Sequence, residues 1–420
     1  MKLKKITIVI ALSSLLMIAG CSGSSESSSS AKKSGGESDV IKIGVLQPFS
    51  GPNAQAGEET FKGNELAVEE INANGGILGK QVELIKADAT NAQEAISEAE
   101  RLITKEKVDL ITGTYLSGLA YPATQIANKY GVLYWETNAL APNITQQGFN
   151  NVIRIGISTD PITNVTIDAV ENVIAPKLGK SVDELNIVIT HEQGLMGTSL
   201  GELQEEELKK MGAEVVRIPY DAAAADLSSV VNLLKNENPD IWLRAGYVND
   251  GALLYKQAKD IGWKPKAILG QSDDSKYLLE ALGPDGMEGI MSVAFPLYDL
   301  NEEYAPGLKA FLKGFQNKYG DAPKLPQTLV AYGGTKILSD IVEKVGVIDV
   351  DKIREATLQM DIPVGGTYPT GFGVKLDPKT LDNTRALPVI AQWQDGEIKT
   401  IYPPEAVGTD AKLELPLKGW

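Results

Sequence analysis

The chain has 420 residues, of which 43% are hydrophobic and 23% charged, and its formal net charge is −15. That balance is a soluble globular one, and the acidic excess argues against nucleic acid, whose binding runs on lysine and arginine neutralising phosphates. A single cysteine (Cys21) and a single histidine (His191) exclude a disulfide within the chain and a multi-histidine zinc site, and any Ser-His-Asp triad has to use His191.

At the start, Lys2, Lys4 and Lys5 precede an apolar run from Ile6 to Met17. The run is too short to span a bilayer and has the layout of a secretory signal. No later stretch is long and apolar enough to cross a membrane. Ile18-Ala19-Gly20-Cys21 resembles the lipobox of bacterial lipoproteins. The resemblance implies a signal peptide over 1–20, cleavage before Cys21 and lipidation of that residue. The alternative is an ordinary cleaved signal with an incidental cysteine. Ser22 to Asp39 is rich in serine and glycine and reads as a flexible tether over 21–39. The working part is thus expected outside the cytoplasm, lipid-anchored to the envelope membrane. The long tether suggests, by analogy, the outer face of the plasma membrane in a single-membrane bacterium. Loss of the three leader lysines moves the charge from −15 to −18. Net charge does not set the local charge of a cleft, so a small ligand of either sign stays open. About 380 residues remain, a length natural for two domains.

From Val40 onward, strand and helix patterns alternate. Strands are expected at Ile41–Leu46, Val82–Ala87, Val108–Thr112 and Val132–Trp135, with helices at Gly57–Ala73, Ala92–Lys105 and Ser117–Tyr130. Asn74-Gly75-Gly76 closes the first helix, since glycine tolerates the left-handed cap. A second set starts with a helix at Ile162–Leu178. Its strands are Leu185–Thr190, Glu214–Pro219, Ile241–Ala245 and Ala267–Gly270, and its helices Thr198–Met211, Leu227–Asn236 and Gly251–Ile261. A strand near Ile290–Ala294 and helices near Ala305–Tyr319 and Gln327–Val345 follow. Phe372–Leu376 and Leu387–Gln394 alternate like strands, and Gln394-Asp395-Gly396-Glu397 carries a hairpin-turn signal. This order calls for an α/β fold with two doubly wound parallel sheets and strands added late.

The stretch from Ile41 to about Asn151 resembles the solute-binding proteins of branched-chain amino-acid ABC importers, the Leu/Ile/Val-binding family. The matching residues are Ile41-Lys42-Ile43-Gly44-Val45, Phe49-Ser50-Gly51-Pro52, the run Glu69 to Gly79, Asp109 to Gly113 and Ala141-Pro142-Asn143-Ile144-Thr145. Together they are specific; singly each is weak. The resemblance extends more loosely to about Pro403. It implies the type I periplasmic-binding-protein fold, two α/β lobes joined by crossover strands around a ligand cleft. Lobe I would be 40–158 plus 295–370; lobe II and the hinge strands would be 159–294 plus 371–420. It also implies a membrane permease as partner, no catalysis, no cofactor and no metal.

Ser117 opens a helix directly after a strand and loop, where free N–H groups and the helix dipole favour a carboxylate or amide oxygen. As a plain N-cap it would need no ligand. Tyr115 lies in the same loop and reads either as cleft or as core. The resemblance places Asn138, Ala139 and Leu140 in the loop that offers backbone groups to the ligand, with Leu140 where a threonine hydroxyl is usual. It puts Ala56 and Met196 where aromatic rings usually cover the ligand, while Tyr247 keeps the usual tyrosine. The usual ammonium-holding carboxylate falls on Ser272, with Asp273 one residue away. Glu136 is a further candidate negative charge, or else a solvated residue. An ammonium buried without a partner costs several kcal/mol. An aromatic acid, an amide or a modified amino acid therefore suits these residues better than plain leucine.

Asn143-Ile144-Thr145 and Asn164-Val165-Thr166 match the glycosylation pattern by chance, and the glycine pairs lack dinucleotide-binding spacing. Asp273-Asp274 lacks further metal ligands, and Glu205-Glu206-Glu207 reads as a solvated helix face. The leading reading is a solute-binding lipoprotein that delivers a small organic solute to an ABC importer. A ligand sensor of the same fold and, less well supported, an extracellular hydrolase built on His191 remain as alternatives.

Overall fold

The computed structural model describes residues 40–418; the expected signal, Cys21 and nearly all of the tether lie outside the described residues. The first half of the chain builds a five-stranded parallel sheet. Its strands are β1 (Val40–Gln47), β2 (Gln81–Asp88), β3 (Leu110–Gly113), β4 (Leu133–Glu136) and β5 (Val152–Arg154), in the order β2-β1-β3-β4-β5. The crossovers are α1 (Ala54–Ala73), α2 (Ala92–Arg101, prolonged by a wider turn to Glu106) and α3 (Ser117–Tyr130). β3, β4 and β5 are buried along their whole length because helices cover both faces, so their sequences run apolar rather than alternate.

The chain then passes through α4 (Thr159–Ala169) and, after one wider turn, α5 (Ala175–Leu178) into a second sheet. There β6 (Asn186–Glu192), β7 (Glu214–Tyr220), β8 (Ile241–Ala245), β9 (Ala267–Gln271) and β10 (Met291–Ala294) are parallel. Between them lie α6 (Leu195–Lys210), α7 (Ser228–Glu237), α8 (Val248–Asp260), α9 (Lys276–Leu282) and α10 (Pro284–Met287). After β10 the chain adds α11 (Leu308–Tyr319), α12 (Gln327–Val345) and α13 (Val350–Leu358). Ile337, Leu338 and Ile341 of α12 pack into the core of the first sheet with Ile43, Leu110 and Trp135. α12 also lies close on α1: a Cβ at Gly63 would stand 2.1 Å from the Thr328 carbonyl oxygen. Finally β11 (Val389–Gln394) and β12 (Glu397–Tyr402) join the second sheet antiparallel, giving the order β12-β11-β10-β9-β8-β6-β7.

The expected hairpin is present. Gln394 pairs with Glu397 across Asp395 and Gly396, both at positive φ (56° and 77°), the geometry of a two-residue primed turn. The strand expected at Phe372–Leu376 is not formed. Only isolated pairs remain, Ile362 with Val374 and Leu376 with Asn383. Gly371 is at positive φ, and a Cβ at Gly373 would sit 2.2 Å from the Ile362 carbonyl. Asp377 then turns the chain by accepting the N–H groups of Lys379 and Thr380. The helix expected from Ala305 starts at Leu308, behind Pro306 and the left-handed Gly307 (φ 86°).

In both sheets the strand order reverses beside the first strand laid down, at β1/β3 and at β6/β8. In doubly wound sheets the crevice beyond the carboxyl ends of the strands at such a switch point is where ligands bind. Two of these crevices meet in this molecule.

Candidate ligand-binding site

A small enclosed cavity lies where the two crevices meet. Its walls come from the segments that follow strand ends: Tyr115 and Ser117 after β3, Asn138 and Leu140 after β4, Met196 at the start of α6, and Tyr247 after β8. Gln271 at the end of β9, Ser272 just beyond it, Phe295 after β10 and Gln327 at the start of α12 complete it. The space inside is about 10 Å³, room for about one water, so it is a closed site and not an open groove. The Tyr115 and Tyr247 rings, one from each half, meet with centroids 5.8 Å apart.

Of the residues expected in the site, Tyr115, Ser117, Asn138, Leu140, Met196, Tyr247 and Ser272 line this cavity together. Ala56, Ala139, Glu136 and Asp273 do not. Ala56 packs behind the cavity against Tyr115 and Leu325. Ala139 is buried in the core of the first half. The two carboxylates are anchors for the loops that form the walls.

Glu136 ends β4 and is fully buried. Its Oε1 accepts the N–H groups of Thr114, Thr137, Asn138 and Ala139 at 2.8–2.9 Å, so the loop folds back over its own strand end. Burial pushes this carboxyl up to about 8, against those N–H bonds and the nearby Arg154 guanidinium. Arg154, on β5, holds the same loop from its carbonyl side. Its Nη1 donates to Ala139 O at 3.0 Å and its Nη2 to Ala141 O at 2.8 Å, while Nε pairs with Asp382 at 2.9 Å. The Ser117 hydroxyl accepts the N–H groups of Leu140 and Ala141, both at 3.1 Å, and keeps its own proton for another partner. Ser117 is therefore a bridge between α3 and this loop, with Leu116 in the capping position.

The second half repeats the arrangement with its own buried arginine. Arg244 on β8 is fully buried and pairs with Asp273, whose other oxygen accepts the Tyr255 hydroxyl. The guanidinium also donates to the carbonyls of Tyr247 and Gln271, both at 3.0 Å, and thereby fixes two cavity residues. Asp250 accepts the Tyr220 hydroxyl at 2.5 Å and the Tyr247 N–H at 2.8 Å. Asp273 is thus consumed inside the second half, which leaves Ser272, at positive φ (66°), to face the cavity.

Three cavity residues escaped the sequence reading: Gln271, Phe295 and Gln327. The first stands at a strand end and could have been found as the residue before Ser272; the other two come from distant segments that only the tertiary fold brings in. Gln271 Oε1, Gln327 Oε1, Asn138 Oδ1 and the Tyr115 hydroxyl are all buried without a hydrogen-bond partner. Ser272 lies beside that hydroxyl, and burial raises the phenol's pKa.

Asp274 was discounted with Asp273 as a metal pair. It is buried, both its oxygens are unpartnered, and it opens on a different crevice with Tyr298 and Lys324. Burial, with Asp273 adding to it, pushes this carboxyl up to about 8. In the unfolded chain it titrates near 4. The stability carried by the uncharged form is complete below about pH 4 and is lost as pH rises to about 8. Asp274→Asn is therefore expected to raise the unfolding free energy read from urea melts, hardly at pH 4 and by an amount on the order of a few kcal/mol at pH 8. A variant weaker than wild type at pH 8 would show that the carboxylate has a partner.

The sequence profile of the periplasmic binding protein family matches residues 40–394. The chain is 37% identical to the Leu/Ile/Val-binding protein homolog 7 of Brucella suis over 376 residues, 89% of this chain and 94% of that one. Among solved structures, the leucine binding protein LivK of Thermotoga maritima superposes with a TM-score of 0.73 at 23% identity, covering 86% of this chain and 97% of that protein. LivJ of Streptococcus pneumoniae, a branched-chain amino acid transporter substrate binding protein in complex with isoleucine, superposes with a TM-score of 0.72 at 21% identity, covering 87% and 100%. The chain belongs to the periplasmic binding protein family, alongside the Leu/Ile/Val-binding protein homologues.

Proposed function

We propose that the protein is an extracytoplasmic solute-binding protein that closes over one small organic molecule and delivers it to the permease of an ABC importer. The observation that carries this reading is the enclosed cavity built by strand-end loops of both sheets, with Tyr115 against Tyr247 across it. The lobes are 40–158 with 295–370 and 159–294 with 371–420, and they move as bodies about the segments that cross between them. Contacts at the cleft mouth are those of a closed state: Asn249 Nδ2 donates to Pro52 O at 2.5 Å, Lys276 N–H to Lys324 O at 3.0 Å, and Lys324 pairs with Glu280 at 2.6 Å. Ligand selects that state from an ensemble that includes open forms.

Cys21 tethers the protein to the membrane through lipid, and more than one acyl chain holds it there. The protein acts without catalysis. His191, which a Ser-His-Asp triad would have to use, sits with Nδ1 2.9 Å from Glu192 O and Nε2 3.4 Å from Arg217 Nη1. Its ligand is of the amino acid, amide or aromatic acid class. A thermal-shift screen across those three classes tests the reading, since a ligand of the folded state raises the melting temperature by mass action. A rise of several degrees with members of one class is expected; no rise with any of them sinks the reading.

A further inference from the structure

The chemistry of the cavity wall narrows the ligand further, on the footing that the cavity is the solute site. None of its lining residues is charged. Glu136 is held by N–H groups, Asp273 by Arg244 and Tyr255, and Arg154 by two carbonyls and Asp382, while the unpartnered Asp274 opens on the neighbouring crevice and does not line this cavity. A ligand carboxylate or ammonium would enter without an opposite charge, and a buried ion without one is heavily disfavoured.

What the wall does offer is unmet carboxamide. Gln271 Oε1, Gln327 Oε1 and Asn138 Oδ1 are buried and accept nothing. Buried polar groups are ordinarily paired, so three lone amide oxygens around one cavity call for a donor-rich occupant. The Ser117 hydroxyl, which already accepts two N–H groups, has a proton to give. Leu140, Met196 and Phe295 supply an apolar wall. The space of about 10 Å³ in this closed form lies far below the range that holds drug-sized molecules, so the walls part only slightly for a small occupant.

We propose that this cavity recognises a small uncharged molecule carrying a carbonyl flanked by NH₂, a short primary carboxamide or a urea. The ligand N–H groups go to the amide oxygens of Gln271, Gln327 and Asn138, the carbonyl oxygen takes the Ser117 proton, and any short alkyl chain lies on Leu140, Met196 and Phe295. The isosteric acid would set its charge against those same oxygens, and the isosteric amine would be an ammonium with no counter-charge.

Calorimetric titration of the full-length protein with butyramide, urea, butyrate, butylammonium and leucine tests this. Butyramide or urea is expected to bind at least about ten-fold more tightly than butyrate, butylammonium and leucine. Gln271→Met and Gln327→Met, made separately, are each expected to weaken that binding about ten-fold without lowering the melting temperature, since each removes a buried group that lacks a partner. Leucine or butyrate binding as tightly as the amides would overturn the proposal and leave the solute-binding reading standing, as would unchanged amide affinity in both glutamine variants. Failure of every compound, together with no response in the wider thermal-shift screen, would remove both.

Discussion

Arg244→Met is expected to destabilise the protein by about 3–5 kcal/mol, the cost of removing one partner from a buried ion pair. The side chain is fully buried and pairs with a buried Asp273, with Asp250 3.9 Å from its Nη1. Methionine matches much of its length but leaves Asp273 with only the Tyr255 hydroxyl, and it removes the guanidinium from the carbonyls of Gln271 and Tyr247, the latter keeping only the Gly251 N–H. Those two residues face the cavity, so the variant is expected to lose ligand affinity as well as stability. A urea melt reads the first effect and a titration at a temperature where the variant is still folded reads the second. A loss below about 1 kcal/mol would mean that the network is not a structural anchor.

Glu136→Ala is expected to cost about 3 kcal/mol or more, because the buried N–H groups of Thr114, Asn138 and Ala139 lose their acceptor at about 1–3 kcal/mol each, while Thr137 N–H keeps the Gly113 carbonyl; relief of the buried carboxyl offsets part of this. Glu136→Gln is the informative companion. Its amide oxygen accepts the same N–H groups, and its NH₂ faces the Thr114 hydroxyl, 3.4 Å from Oε2 in the parent. The glutamine variant is therefore expected within about 1 kcal/mol of wild type. Equal damage from alanine and glutamine would show that negative charge, not an acceptor, holds the loop from Thr137 to Ala141.

The fold was largely legible because most strands are short apolar runs and most long helices have a 3.6-residue stripe; Ser117–Tyr130, Gln327–Val345 and Ile241–Ala245 match residue for residue, while α9, α10 and α13 are not expected from the sequence. β5 was not, since Val152–Arg154 is three residues long and gives no pattern to count. The strand expected at Phe372–Leu376 failed because local glycine geometry and the Asp377 turn overrode its alternation. In the site, residues read from strand-end loops line one cavity, whereas the two candidate carboxylates, Glu136 and Asp273, lie outside its lining and hold the loops that form its walls. Their partners, Arg154 and Arg244, carry no motif. Only the backbone carbonyls and carboxylates folded around them reveal their role.

The central claim is that one small solute binds in the cavity lined by Tyr115 and Tyr247, with both halves of the chain around it. Calorimetric titration of the compound that most raises the melting temperature, against wild type and Tyr247→Ala, tests it most directly. The account predicts one site per chain in the wild type and affinity at least about ten-fold weaker in the variant, whose circular dichroism confirms folding. Equal affinity in the two proteins would contradict it and place the ligand elsewhere.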